Sequence, residues 1–186
     1  MELSPVLHFG LLNGWLLAAI FYLGFGILLL LFPRPVVARL HDRSHQKDPR
    51  VLQRVLGTLL FLGWLVLAIL TPLSLREPVF AVGLVLYILG FTGFVVALLK
   101  FAGTPLDQPV RSGLYRVSRH PQQLTISVAF LGISIAMGSW PALGLILIGT
   151  IGAHYKIRAE ETACLQVYGD SYRDYTEKVP RYFLFF

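Results

Sequence analysis

A single cysteine, Cys164, leaves no partner for an internal disulfide and excludes any multi-cysteine metal site. Charge is scarce too: Asp, Glu, Lys and Arg make up 14% of the 186 residues, against 55% hydrophobic ones. That is more apolar surface than one soluble core of this size can hide, so lipid must solvate much of it. There is no glycine-rich phosphate loop of Rossmann or Walker type and no nucleophile elbow. Zinc-finger spacing and RNA-binding aromatic motifs are also missing, so the net charge of +6 does not call for nucleic acid. His41 and His45 are four apart, but no glutamate stands between them as in a zinc-protease helix, and their neighbours Asp42, Arg43, Ser44 and Lys47 suit a solvated loop. No metal site is expected.

What is present is a series of long runs without charge. Residues 10–32 form the first, 23 residues whose only strongly polar member is Asn13. At about 1.5 Å per residue it can cross a hydrocarbon core of about 30 Å. The run is too long for the apolar part of a signal peptide, and Glu2 is the sole charge before it, so it reads as a retained helix. Runs 55–75 and 78–99 follow, joined tightly through Arg76 and Glu77, with Pro78 suited to a helix start. Residues 122–153 are again uncharged, with a turn signal at Gly138-Ser139-Trp140-Pro141. Each arm of that pair is about 22 Å of helix, short for a bilayer. Glycines at 24, 26, 144, 149 and 152 lie inside these runs, where small residues permit close helix packing. The fold class is therefore all-α integral membrane, a single domain over 1–186 with about five transmembrane helices (10–32, 55–75, 78–99, 122–138 and 141–157). The last two form a short hairpin.

Fifteen of the 16 Lys and Arg residues fall in the loop after the first run, the loop after the third, and the tail; Arg76 is the exception. With five spans these three regions share one face, and the positive-inside bias makes that face cytoplasmic with the N-terminus outside. The basic residues then meet anionic headgroups of membrane lipids. A prokaryotic inner membrane is the expected location, and no obligate protein partner is called for.

Two polar segments, 100–121 and 156–186, remain to carry chemistry. The first opens with a loop, 103–109, whose two prolines at 105 and 109 forbid a regular helix, and continues with Ser112-Gly113-Leu114-Tyr115-Arg116-Val117-Ser118-Arg119-His120-Pro121. A plain reading of this block is a membrane-entry collar of snorkelling arginines. In the tail, Lys156 with Glu160 and Arg158 with Glu161 have the spacing of surface ion pairs, worth about 0.3–0.5 kcal/mol each. Tyr168, Tyr172 and Tyr175 share a face that can dock onto the bundle.

The order of these residues adds to the plain reading. Gly-x-Tyr-x-x-x-Arg-His-Pro at 113–121, followed by Glu160-Glu161, Tyr168-Gly169 and Val179-Pro180-Arg181, resembles the integral-membrane superfamily of isoprenylcysteine carboxyl methyltransferases and phospholipid methyltransferases. The resemblance spans residues 100–181. It implies S-adenosylmethionine as cofactor, with Val110, Tyr115, Arg119, His120, Pro121, Gln122, Gln123 and Glu160 around it, in a site built from the cytoplasmic loop and the helical tail. It implies Lys156, Arg158 and Glu161 as the catalytic group, acting on a lipid or small hydrophobic acceptor that presents a carboxylate, thiol or amine. Two positions depart from the pattern: Gln123 replaces an aromatic residue, and Lys156 replaces an arginine, giving a point charge in place of a bidentate fork. Membrane sterol reductases, which use NADPH, share Arg-His-Pro and a Cys-x-x-x-Tyr-Gly tail that Cys164 fits. A reductase is thus the second reading, and a non-catalytic protein with a degenerate site the third.

Overall fold

A computed structural model describes residues 1–42, 44 and 51–183, and all statements of structure concern these residues. Arg43, His45 and Lys47, named above, lie outside them, as does Arg50, one of the basic residues counted for orientation. Among the described residues there are seven α-helices and no strand: α1 (Gly14–Leu31), α2 (Arg34–His41), α3 (Val51–Leu70), α4 (Pro78–Ala102), α5 (Pro121–Ala136), α6 (Trp140–Tyr168) and α7 (Asp170–Lys178). A short 3₁₀ turn, Gly113–Arg116, precedes α5. The chain is an all-α integral membrane protein. Helices α1, α3 and α4 are long and apolar enough to cross a bilayer. Helix α5, with 16 residues, is shorter, about 24 Å. Helix α6 continues without a break for 29 residues, so its apolar first half and its charged second half are one rigid rod.

Asn13 is not a polar residue inside a span. It sits just before α1, buried, and its Nδ2 donates to the carbonyls of His8 (2.7 Å) and Ile69 (2.8 Å). Pro72 cannot continue α3, and the backbone beyond Leu70 pairs with the start of α1 instead. The N–H of Gly14 donates to Thr71 and that of Leu73 donates to Leu12. These bonds satisfy backbone groups that two helix ends would otherwise leave open. At the α5–α6 corner Gly138 takes φ +64°, a left-handed value that glycine adopts readily. Ser139 then caps α6, its Oγ accepting from the N–H of Ala142 (3.3 Å).

Phe21 of α1, Trp64 of α3, Phe94 of α4 and Phe130 of α5 meet in one aromatic cluster, with ring centres 4.8 to 5.4 Å apart. Trp64 is fully buried and donates from Nε1 to Ser134 Oγ (2.9 Å), which satisfies its only polar atom.

The closest helix pair is α4 with α5, and glycines explain it. A Cβ on Gly90 would lie 2.7 Å from the Ala129 Cα, and one on Gly83 would lie 2.7 Å from the Ala136 Cα; one on Gly132 would strike the backbone at Tyr87. The glycines expected to do this do not: Gly26, Gly144, Gly149 and Gly152 face open space, and Gly24 abuts only the Phe91 ring. Hydrophobic pattern marks a helix as buried but not which small residue faces which backbone. Gly90→Ala is expected to force α4 and α5 apart at a cost of about 1–3 kcal/mol. Gly144→Ala should leave stability unchanged or raise it by about 0.5–1 kcal/mol. Thermal unfolding of both variants in detergent measures the contrast, and equal midpoints would refute the packing argument.

Candidate functional site

The two polar segments, remote in sequence, knit together at the end of the bundle that carries the basic residues. Gly169, at φ +54°, reverses the chain between α6 and α7. That folds Tyr172, Tyr175 and Val179 back onto Cys164 and Tyr168. The buried Tyr175 hydroxyl donates to the Tyr115 carbonyl (2.6 Å). Three more bonds tie the tail to the loop: the Arg119 N–H donates to the Pro180 carbonyl (3.0 Å), its guanidinium to the Thr176 carbonyl (2.9 Å), and Ser118 Oγ to the Arg181 carbonyl (2.9 Å). The loop is held from the other side by Arg39 of α2. Its guanidinium donates to the carbonyls of Thr104, Pro105 and Gln108 (3.2, 3.1 and 2.7 Å) and lies over the Phe101 ring. Two prolines leave this loop few internal hydrogen bonds, and the arginine supplies the donors.

At the centre of this junction is Glu161. One of its oxygens accepts from His120 Nε2 at 3.2 Å and lies 3.0 Å from Arg119 Nε; the other takes both Nε and a terminal nitrogen of Arg181, at 2.9 and 2.7 Å. The Arg119 contact is an ion pair without hydrogen-bond alignment, since that N–H has no partner in line. Burial alone would push the Glu161 carboxyl up. The bonds from His120 and Arg181, with the charges of Arg119 and His120, outweigh burial and hold it down at about 2. Glu161 is therefore an ionised, saturated anion between loop and tail.

Glu160 turns a different way. Its side chain is 46% exposed, and its one close charged contact among the described residues is His120 Nδ1 at 3.8 Å. His120 thus stands between the two carboxylates. Beside it, the Gln122 Nε2 is buried with no partner in hydrogen-bond geometry. Tyr115 is buried nearby. Burial raises its pKa most and the Glu160 charge raises it further, while the Gln122 amide pulls it down, so all three groups share one neighbourhood. Val110 packs beneath Tyr115, and Pro121 opens α5, directing Gln122 and Gln123 into its first turn.

The structure brings together Val110, Tyr115, Arg119, His120, Pro121, Gln122, Glu160 and Glu161. Gln123, in the same first turn of α5, lies instead on a cleft of about 240 Å³ that α1, α3, α5 and α6 line with Tyr22, Phe61, Ser127, Phe130 and Thr150 among others. Lys156 and Arg158 are exposed on the outer side of α6. The surface pairs expected from their spacing, Lys156 with Glu160 and Arg158 with Glu161, do not form among the described residues. Helix phase turns Glu161 inward, away from Arg158, and Arg119, His120 and Arg181 take it. Arg181 as the clamp on Glu161 was missed, because a separation of 20 residues hides the pairing. Also unforeseen was His154, whose Nδ1 lies 2.8 Å from the Tyr182 hydroxyl.

Residues 77–171 match the family model described as phospholipid methyltransferase. No curated protein and no solved structure matches.

Proposed function

The chain belongs to the phospholipid methyltransferase family of membrane methyltransferases, and from that premise we propose that it moves a methyl group from S-adenosylmethionine to a lipid or small hydrophobic acceptor at the cytoplasmic face. The basic residues, gathered at the end of the bundle where the polar segments meet, support that orientation.

The residues present fit such a donor. Its ammonium suits the half-exposed Glu160 carboxylate, and its carboxylate suits a buried amide donor with no partner, which Gln122 offers. Its adenine suits the buried wall of Val110 and Tyr115. When bound, S-adenosylmethionine supplies a methyl group activated by sulfonium charge. The chain's own work is positional. Glu161, saturated by Arg119, His120 and Arg181, locks the tail onto the loop, so that His120 and Glu160 are held at fixed positions. Holding two reactants in line in a site shielded from water can account for much of the rate, with no metal or covalent nucleophile. Lys156 and Arg158, exposed near the headgroup level, would steer an anionic part of the acceptor as point charge and fork.

The observation that carries this reading is the half-exposed Glu160 carboxylate and the buried Gln122 amide, both in the neighbourhood of Tyr115, inside the segment matched by the family model. Incubation of the purified protein with methyl-labelled S-adenosylmethionine and vesicles of a total lipid extract tests it. Label in the organic phase is the expected result, and none there would overturn transfer to lipid.

A further inference from the structure

Pro105 and Pro109 carry no N–H, so the loop after α4 has few bonds of its own to hold its shape. One turn within it is closed, by the Gln108 N–H donating to the Pro105 carbonyl (3.3 Å). Arg39 grips that turn at both ends: one terminal nitrogen donates to the Thr104 and Pro105 carbonyls, the other to the Gln108 carbonyl. Pro109 and Val110 follow at once, both buried, and Val110 belongs to the same wall as Tyr115. Where the turn sits therefore decides where that wall begins.

The same guanidinium is in contact with both sides of the junction. Its Cζ lies 4.8 Å from the centre of the Phe101 ring, which packs against the cluster of Ala97, Val110 and Tyr115, and 5.9 Å from the centre of the Tyr168 ring. Tyr168 belongs to α6 and packs against Tyr172, Tyr175 and Val179 of the tail. It stands about two turns beyond Glu160, with Cys164 between them, at four-residue steps along one side of the helix. Burial raises the pKa of Tyr115 and of Cys164, and the Glu160 charge raises both further. The Arg39 charge opposes these effects at both groups, so it reaches loop and tail alike.

Arg39 is itself held firmly. Only Phe32 and Pro33 separate α1 from α2, and the Pro33 carbonyl accepts from the N–H groups of Val36 (3.0 Å) and Val37 (3.2 Å), so α2 turns off α1 without a long link. Val36 is buried, and Leu40 packs against the aromatic core of the bundle. Helix α2 lies outside residues 77–171, the segment that matches the family model.

We propose that Arg39 is a positioning residue of the methyl-donor site, setting the spacing between the Val110–Tyr115 wall and the Glu160 side of α6. This rests on the methyltransferase reading and deepens it. A guanidinium suits the task because its planar fork places two nitrogens on the two ends of the turn while its face lies against two rings. A lysine ammonium replaces the charge but not the span. The donor site then depends on a helix that the matched segment does not contain.

The test is calorimetric titration of S-adenosylhomocysteine into the full chain in detergent, for wild type, Arg39→Met, Arg39→Lys and Arg34→Met. Arg34, exposed at the start of the same helix, controls for loss of charge. The dissociation constant should rise about 10-fold in Arg39→Met and at least about 5-fold in Arg39→Lys, with the number of sites per chain unchanged, and should stay at the wild-type value in Arg34→Met. The number of sites separates positioning from folding, since unfolded chains remove sites without weakening those that remain. A wild-type dissociation constant in Arg39→Met, or loss of all sites in both Arg39 variants, would overturn the assignment by reducing Arg39 to a structural role. Full affinity in Arg39→Lys, or equal weakening in Arg34→Met, would overturn it by leaving only an effect of charge. A wild type that does not bind S-adenosylhomocysteine would instead remove the methyltransferase reading, and the assignment with it.

Discussion

Glu161→Gln is expected to destabilise the junction of loop and tail by about 3–5 kcal/mol, the cost of removing one member of a buried ion cluster. The Arg119 side chain is only 6% exposed and Arg181 is partly covered, so both guanidiniums would remain in low-dielectric surroundings without their shared anion. Glutamine keeps the shape and can still accept at its carbonyl, but it cannot satisfy two guanidiniums and the His120 donor together. The measurement is the thermal midpoint in detergent, together with trypsin cleavage at Arg173 and Lys178, which should quicken as the tail comes loose. Acid should imitate the substitution. The Glu161 carboxyl titrates at about 2 when folded, against 4.5 for a free side chain, so its contribution is complete above about 4.5 and disappears as pH falls toward 2. The gap in midpoint between wild type and Glu161→Gln should therefore be constant from pH 7 to 5 and close below 4.5. A gap that persists unchanged at pH 3 would contradict the ion-cluster account.

Glu160→Gln should give the opposite profile, with stability kept and donor binding lost. Glu160 is half-exposed, and its one contact, His120 at 3.8 Å, is long, so little folding energy depends on its charge. A charge-assisted bond to a bound ammonium is worth about 2 kcal/mol or more, so affinity for S-adenosylhomocysteine should fall at least about 30-fold. Calorimetric titration of the variant, with its thermal midpoint measured on the same sample, separates the two effects. A folded Glu160→Gln protein that binds as tightly as wild type would remove Glu160 from the donor site.

These two neighbours illustrate what sequence can and cannot convey. The all-α membrane architecture was legible from runs of uncharged residues, while the acidic pair at 160–161 stood out only through the family resemblance, its spacing alone suggesting surface ion pairs. Which carboxylate faces inward was not legible, because adjacent residues on a helix point about 100° apart and the phase depends on how α6 rolls against α5. The partner that decides it, Arg181, arrives only after Gly169 reverses the chain, a tertiary event without a local signal. The same reasoning covers the glycines. Composition marks Gly83, Gly90 and Gly132 no differently from Gly144 or Gly149, and only the α4–α5 contact distinguishes them.

The central claim, that loop and tail together form a methyl-donor site, is tested most directly by calorimetric titration of the purified wild-type protein with S-adenosylhomocysteine, with NADPH titrated in parallel. Saturable binding of S-adenosylhomocysteine in the micromolar range, and none of NADPH, is the result expected. Binding of NADPH alone would contradict the claim in favour of a reductase, and binding of neither by a folded sample would mean that this junction holds the tail in place and nothing more.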